Sequence, residues 1–288
     1  MTTVSAAPPT PLRWNRRVRN APAAVLLTVV CLLFLLPVVW IFSTSLKPTA
    51  DIFAVPSTLF PHHVTFDNYR QAVGPNGLRI YIVNSLIAAG GSTLIALALA
   101  IPAAFGFAKL RYRLSGVLFA AAVLTRMFPP IALGLPYFLQ LRAVHLIDTR
   151  LGLTIAYVPI VLPLVLWILE GFFRDFPQEL IEAARVDGLG VIRTLARIVL
   201  PISTPAIAVA TLFGFLSAWN EFVIALTVTR TPAAATMPVG IASFVTQFQT
   251  FWGQMTAAAA LYLLPVLALT IVAQRGIVQG LTVGATKG

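Results

Sequence analysis

The chain has 288 residues, 58% of them hydrophobic and only 10% charged, with a mean hydropathy of +0.89, a balance that excludes an ordinary soluble globular domain. The formal net charge of +11 would invite a nucleic-acid reading. The basic residues, however, flank apolar runs and form no face interleaved with aromatics, so they read as orientation signals at a membrane surface.

In chain order, residues 1–22 read as an unstructured cytoplasmic tail rich in Pro, Thr and Arg. Arg13, Arg16, Arg17 and Arg19 precede the first apolar run, and no small-residue cleavage pattern follows it, so that run is expected to stay as an anchor. It carries the only cysteine, Cys31, which leaves no disulfide within the chain and no cysteine-based metal site. Apolar runs at 23–46, 82–108, 116–140, 151–173, 204–229 and 256–276 are each long enough to cross a bilayer core, which takes roughly 20 residues per helix. They predict an all-α integral membrane protein with a six-helix transmembrane bundle over 23–276, followed by a second cytoplasmic tail at 277–288.

Thirteen Lys and Arg residues fall on one side of this arrangement and six on the other. The richer side takes the cytoplasm, with both termini. Two outer segments, 47–81 and 230–255, are too long for simple turns and read as ordered, partner-facing loops. Within the spans, Pro37, Pro102, Pro129, Pro130, Pro159, Pro163 and Pro265 predict kinked helices, while Gly90, Gly91, Ala103, Ala104 and Gly106 permit close helix approach.

Arg126 falls near the middle of the third run, where a charge needs a partner or a wet cavity. It either lines a translocation path or bonds the carbonyls freed by Pro129 and Pro130. Trp219, Asn220 and Glu221, in the outer half of the fifth run, offer an aromatic face and hydrogen bonds of the kind a sugar path needs. Their competing role is pairing within the bundle. His62, His63 and His145 show no metal-ligand clustering. No Gly-rich phosphate loop and no nucleophile with its base is present, which argues against an enzyme and against ATP binding in this chain.

One cytoplasmic segment, 174–203, carries charge at helical spacing. From Pro177 to Gly188 the sequence reads as a short surface helix: Pro177 suits a first turn, Glu179 and Glu182 lie toward the positive end, and Gly188 suits a left-handed cap. A second helix follows from about Val191 to Arg197, and Leu200-Pro201 leads into the fifth run. Leu180, Ile181 and Ala184 fall on one face, and the small Ala183 and Ala184 leave room for an approaching surface. Such a unit either enters a groove on a partner protein or rests on lipid, helped by Arg185, Arg193 and Arg197.

Glu182-Ala183-Ala184, Gly188, Ile198 and Leu200-Pro201 stand at the spacing of the signature of binding-protein-dependent ABC importer permeases, and the chain resembles that family. Ser45-Leu46-Lys47, Asn68-Tyr69, Asn84-Ser85, Arg126-Met127-Phe128-Pro129-Pro130, Trp219-Asn220-Glu221-Phe222 and the tail from Gly280 resemble its carbohydrate branch, of the MalG type. Thr286 stands where many members have Val. The resemblance implies the type I importer permease fold, with cytoplasmic coupling helices that insert into a cleft on an ATPase subunit. Asp187 belongs to the same coupling segment.

The partners so implied are a second permease, two ATP-binding subunits, an external substrate-binding protein, membrane lipid and a sugar substrate. Cofactors are expected on the partner ATPase, as ATP and Mg, with none in this chain. A non-sugar solute such as a glycerophosphodiester is the alternative cargo. A secondary carrier is the rival class, against which stand six spans without an internal repeat and a docking segment.

Overall fold

The computed structural model describes residues 21–74, 77–110 and 113–285. The expected tail at 1–20 and the last residues, 286–288, lie outside these. Four helices are long and apolar enough to cross a membrane: α1 (Ala21–Ser45), α4 (Arg79–Lys109), α7 (Arg150–Arg174) and the first part of α14 (Trp252–Ala285). Two further helix pairs are apolar enough only when taken together, and each is bent. The first combines α5 (Ser115–Leu124), a 3-10 turn at Thr125–Met127 and α6 (Pro130–Ala143), with a bend of 99°. The second bent pair joins Val191–Ile202 to α11 (Thr204–Trp219) at 82°, and α12 (Val223–Val228) follows after a break.

The core forms where α4 lies along α7, with α11 packed on both. Ala88, Ser92, Ala96, Ala100 and Ala104 recur every four residues on α4 and are buried, so the two backbones approach closely. A Cβ at Gly91 would stand 2.9 Å from Thr154 of α7, and one at Gly214 of α11 would stand 2.9 Å from Val165. Without a hydrophobic drive between helices in lipid, this close packing supplies the cohesion. By contrast, α1 turns large apolar side chains outward along its length and meets the bundle through α14.

The 99° bend and the break after Trp219 have local causes. Pro129 and Pro130 lack amide hydrogens, so the helix ending at Leu124 cannot continue through them, and Pro130 instead starts α6. At a separate break, after Trp219, the Glu221 carboxylate accepts from the amides of Ile224 (2.9 Å) and Ala225 (3.1 Å), capping α12. The fifth run, expected at 204–229, is therefore two helices rather than one.

Outside the bundle, 47–81 contains α2 (Thr49–Ile52) and α3 (Asp67–Val73), and 230–255 contains α13 (Met237–Ala242) and a tight loop closed by a bridge between Val245 and Thr250. Side-chain amides and hydroxyls hold these pieces in place. Asn68 Nδ2 donates to the carbonyls of Ser45 (3.0 Å) and Lys47 (2.8 Å), and the hydroxyls of Ser45 and Tyr69 lie 2.8 Å apart. Lys47 donates to the Thr58 carbonyl and lies over the Trp40 ring. Asn84 Nδ2 donates to the carbonyls of Pro232 and Ala235, its Oδ1 accepts from Arg150, and Ser85 Oγ accepts from the Met237 amide. The last helix runs to Ala285, so most of the segment expected as a tail at 277–288 is helical.

Candidate functional site

The 174–203 segment is anchored before it begins. Lys109, the last residue of α4, donates to the carbonyls of Arg174 (3.1 Å) and Phe176 (2.7 Å). Buried Glu170 accepts from Arg174 at 2.6 and 3.1 Å, and Phe176 is buried in the core. One lysine on two carbonyls and one ion pair thus fix the exit of α7, and of these residues Lys109 and Arg174 were legible only as orientation signals.

From Pro177 the chain enters α8 (Gln178–Val186). Gly188 takes φ +78°; its amide donates to the Arg185 carbonyl (3.0 Å) and the Leu189 amide to the Ala184 carbonyl (2.9 Å). That pair of bonds closes the helix end and requires the left-handed residue at 188. The chain then reverses into α9 (Val191–Thr194), with Thr194 bonding back to Gly190. A π-helical turn over Leu195–Val199 and the short α10 (Leu200–Ile202) follow. Pro201 supplies no amide for the Arg197 carbonyl and its ring crowds that oxygen, so the preceding turn widens. Ile198 packs against the core and Leu200 is half-buried, which leaves Pro201 exposed at the bend.

The faces of α8 are reversed relative to the expected docking face. Ile181 and Ala184 are buried against the protein's own core, so they do not meet a partner. The outward face is Glu179, Glu182, Ala183 and Val186, the i, i+3, i+4, i+7 set. Val186 is 88% exposed and Ile192, across the turn, 82%. Glu182 and Asp187 are exposed, and neither side chain has a hydrogen-bond or ion-pair partner among the described residues. The tip therefore presents two large apolar side chains, the small Ala183 and unpaired carboxylates. This is a surface suited to entering a protein groove.

The four residues expected on a path are not brought together. Trp219 is buried and stacked between Phe215 (5.3 Å) and Tyr262 (5.2 Å). Glu221 is buried and spent on capping α12, while the Tyr157 hydroxyl donates to its carbonyl. Asn220 is exposed, with its side-chain oxygen accepting from Tyr262. Arg126 sits in the 3-10 turn, exposed, with no bond to the carbonyls near Pro129 and Pro130 among the described residues. It borders a cavity of about 570 Å³ between the bend and Pro159 and Pro163 of α7.

The sequence profile described as "Binding-protein-dependent transport system inner membrane component" matches residues 96–283. The trehalose transport system permease protein SugB of Mycobacterium tuberculosis is 39% identical over 92% of this chain and 97% of its own. The trehalose/maltose transport system permease protein MalG of Thermococcus litoralis is 33% identical over 95% and 98%. The diacetylchitobiose uptake system permease protein DasC of Streptomyces coelicolor is 32% identical over 88% and 91%. A chain of a bacterial ABC transporter that imports the acidic polysaccharide alginate shares the fold, with a TM-score of 0.76 at 23% identity over 92% of this chain and 99% of that one.

Proposed function

This chain belongs to the family of binding-protein-dependent transport system inner membrane components, and we propose that it is the permease subunit of an ATP-driven sugar importer. The observation that carries the reading is the exposed helix-turn-helix built by α8, Gly188 and α9, on a chain whose named relatives are sugar permeases. A second permease completes the translocation path, an external binding protein delivers the sugar, and two ATPase subunits hydrolyse ATP with its Mg on the cytoplasmic side. Both termini and the 174–203 segment face the cytoplasm; 47–81 and 230–255 face outward.

In this reading Val186, Ile192 and Ala183 enter the ATPase cleft, and Glu182 meets a basic residue on its wall. Asp187 and the Gly188 turn hold the tip, while Ile198, Leu200 and Pro201 tie it to the bundle. Closure of the ATPases on ATP favours the permease state whose coupling segments fit the closed dimer better, and transport follows from that difference in fit. Arg126 and Asn220, the two exposed members of the path set, remain available to line the route or the seam with the second permease. Trp219 and Glu221 act from behind as packing and a cap.

The test is ATP hydrolysis and sugar uptake by the reconstituted complex with and without loaded binding protein. Glu182→Lys should abolish stimulation while the subunits still co-purify, because charge reversal places repulsion inside the interface; Glu182→Ala should be milder. Wild-type stimulation and uptake in Glu182→Lys would remove the segment from coupling.

A further inference from the structure

Two outer segments about two hundred residues apart in sequence meet beside α2. Thr49 and Phe53 of one face Gln249, Phe251, Trp252 and Gln254 of the other across a cavity of about 440 Å³, within the ordinary range for small-ligand sites. Three rings are only partly covered: Phe53 is 62% exposed, Trp252 45% and Phe251 37%. Polar groups stand among them. The Gln254 side-chain nitrogen donates to Gln71 (2.6 Å), which fixes the amide and leaves its oxygen as a free acceptor among the described residues.

The walls are fixed in advance. Asn68 pins the chain entering α2 through the carbonyls of Ser45 and Lys47. Gly253 lies against the same asparagine so closely that any Cβ there would collide with its side chain. Pro48 starts α2 and its carbonyl accepts from the Asp51 and Ile52 amides. On the opposite wall, the Phe251 amide donates to the Phe244 carbonyl and the Trp252 amide to that of Thr250.

Asp51 stands on the same short helix as the lining residues Thr49 and Ile52, so its charge lies near the cavity without lining it.

We infer that this cavity is a sugar-holding subsite on the outer face of the permease, selective for neutral rather than acidic rings. Exposed aromatic faces stack on the C–H faces of a pyranose, and amide and hydroxyl side chains bond its hydroxyl groups. No cationic residue lines the cavity among the described residues, and the charge of Asp51, on the helix that contributes Thr49 and Ile52, disfavours a carboxylate or sulfonate there. The subsite would hold sugar at the mouth between release from the binding protein and entry into the bundle. The inference rests on the sugar-import reading.

The test uses the assembled complex in lipid nanodiscs, without binding protein or nucleotide. Saturation-transfer NMR is recorded with trehalose, maltose and glucuronate as probes, beside uptake of the same sugars by the reconstituted complex with binding protein. A neutral disaccharide should give ring-proton transfer at least fivefold stronger than glucuronate. Trp252→Ala should raise the half-saturating concentration of that disaccharide about fivefold to tenfold. Trp252→Phe should restore it, and Asp51→Asn should narrow the gap to glucuronate. Co-purification of the subunits shows that the variants fold.

Transfer from glucuronate equal to that from the disaccharides would overturn the inference. So would an unchanged half-saturation in Trp252→Ala. If the wild-type complex imports a neutral sugar while both variants keep wild-type transfer, the subsite alone fails. If it imports none of the probes and transfer is absent, the subsite and the reading beneath it fail together.

Discussion

Replacing Gly188 isolates the cost of one backbone angle. A Cβ at that position would meet nothing within 4 Å, so no steric clash with neighbours enters the comparison. What remains is φ +78°, which costs an L-residue about 1–2 kcal/mol. Ala should therefore carry most of that strain, Val more because its branched Cβ crowds the left-handed region, and Asn least, since its side chain tolerates that conformation. A strain of that size shifts the balance between docking-competent and displaced tips by about fivefold to thirtyfold.

Relief of the strain would break the bonds from Gly188 to Arg185 and from Leu189 to Ala184, turning Val186 away from Ile192. Binding-protein-stimulated ATP hydrolysis should fall in the order Gly, Asn, Ala, Val, with Val at least tenfold below wild type and subunit assembly retained. Equal activity across the series would refute the reasoning. If Asn is as damaging as Val, the requirement is for glycine's flexibility and not for its handedness.

Ile181→Asp places a carboxylate where α8 packs on the core, and it should lower the yield of folded protein, whereas Val186→Asp should leave yield intact and weaken ATPase co-purification. Gly253→Ala should loosen the Asn68 bracket by the displacement its Cβ forces, read as faster amide exchange at 48–52 with the bundle helices unchanged. Asp148 accepts from the Arg230 and Thr231 amides and the Thr231 hydroxyl. Burial raises its carboxyl, but those bonds and the Arg230 charge outweigh it and hold the group below the usual carboxylate range. The hold it exerts on 230–231 should be complete above about pH 4 and be lost as pH falls through its lower folded value. Amide protection at 230 and 231 tests this, and Asp148→Asn should remove the acid-dependent step.

The bundle was legible because hydropathy and span length are properties of composition over some twenty residues. Pro129 and Pro130 announced a kink in the third run, though not that one helix stops before them and another starts at a 99° bend. The window at 204–229, by contrast, averages across Glu221 without registering that it starts a new helix. Gly188 could be read because a glycine just after the last periodic residue of a short helix is the usual left-handed cap. The side of α8 that faces outward could not. Leu180, Ile181, Ala183, Ala184 and Val186 offer apolar groups around much of the helix, and the choice is made by Lys109 and Phe176, which fix the exit of α7. The motif residues Asn68 and Asn84 were likewise visible as letters, but their bonding partners are carbonyls 21 to 151 residues away.

One helix is held at both ends. Lys109 fastens the C-terminal end of α4 to the chain entering the 174–203 segment, and Asn84 fastens its N-terminal end to the carbonyls of Pro232 and Ala235. Between the two fastenings the helix spans roughly 38 Å at 1.5 Å per residue. A tilt of about 10° about the Lys109 end would carry the Asn84 end, with the carbonyls of Pro232 and Ala235 bonded to it, roughly 6 to 7 Å. Because α7 and α11 pack along α4, such a tilt would have to move the three helices as one body.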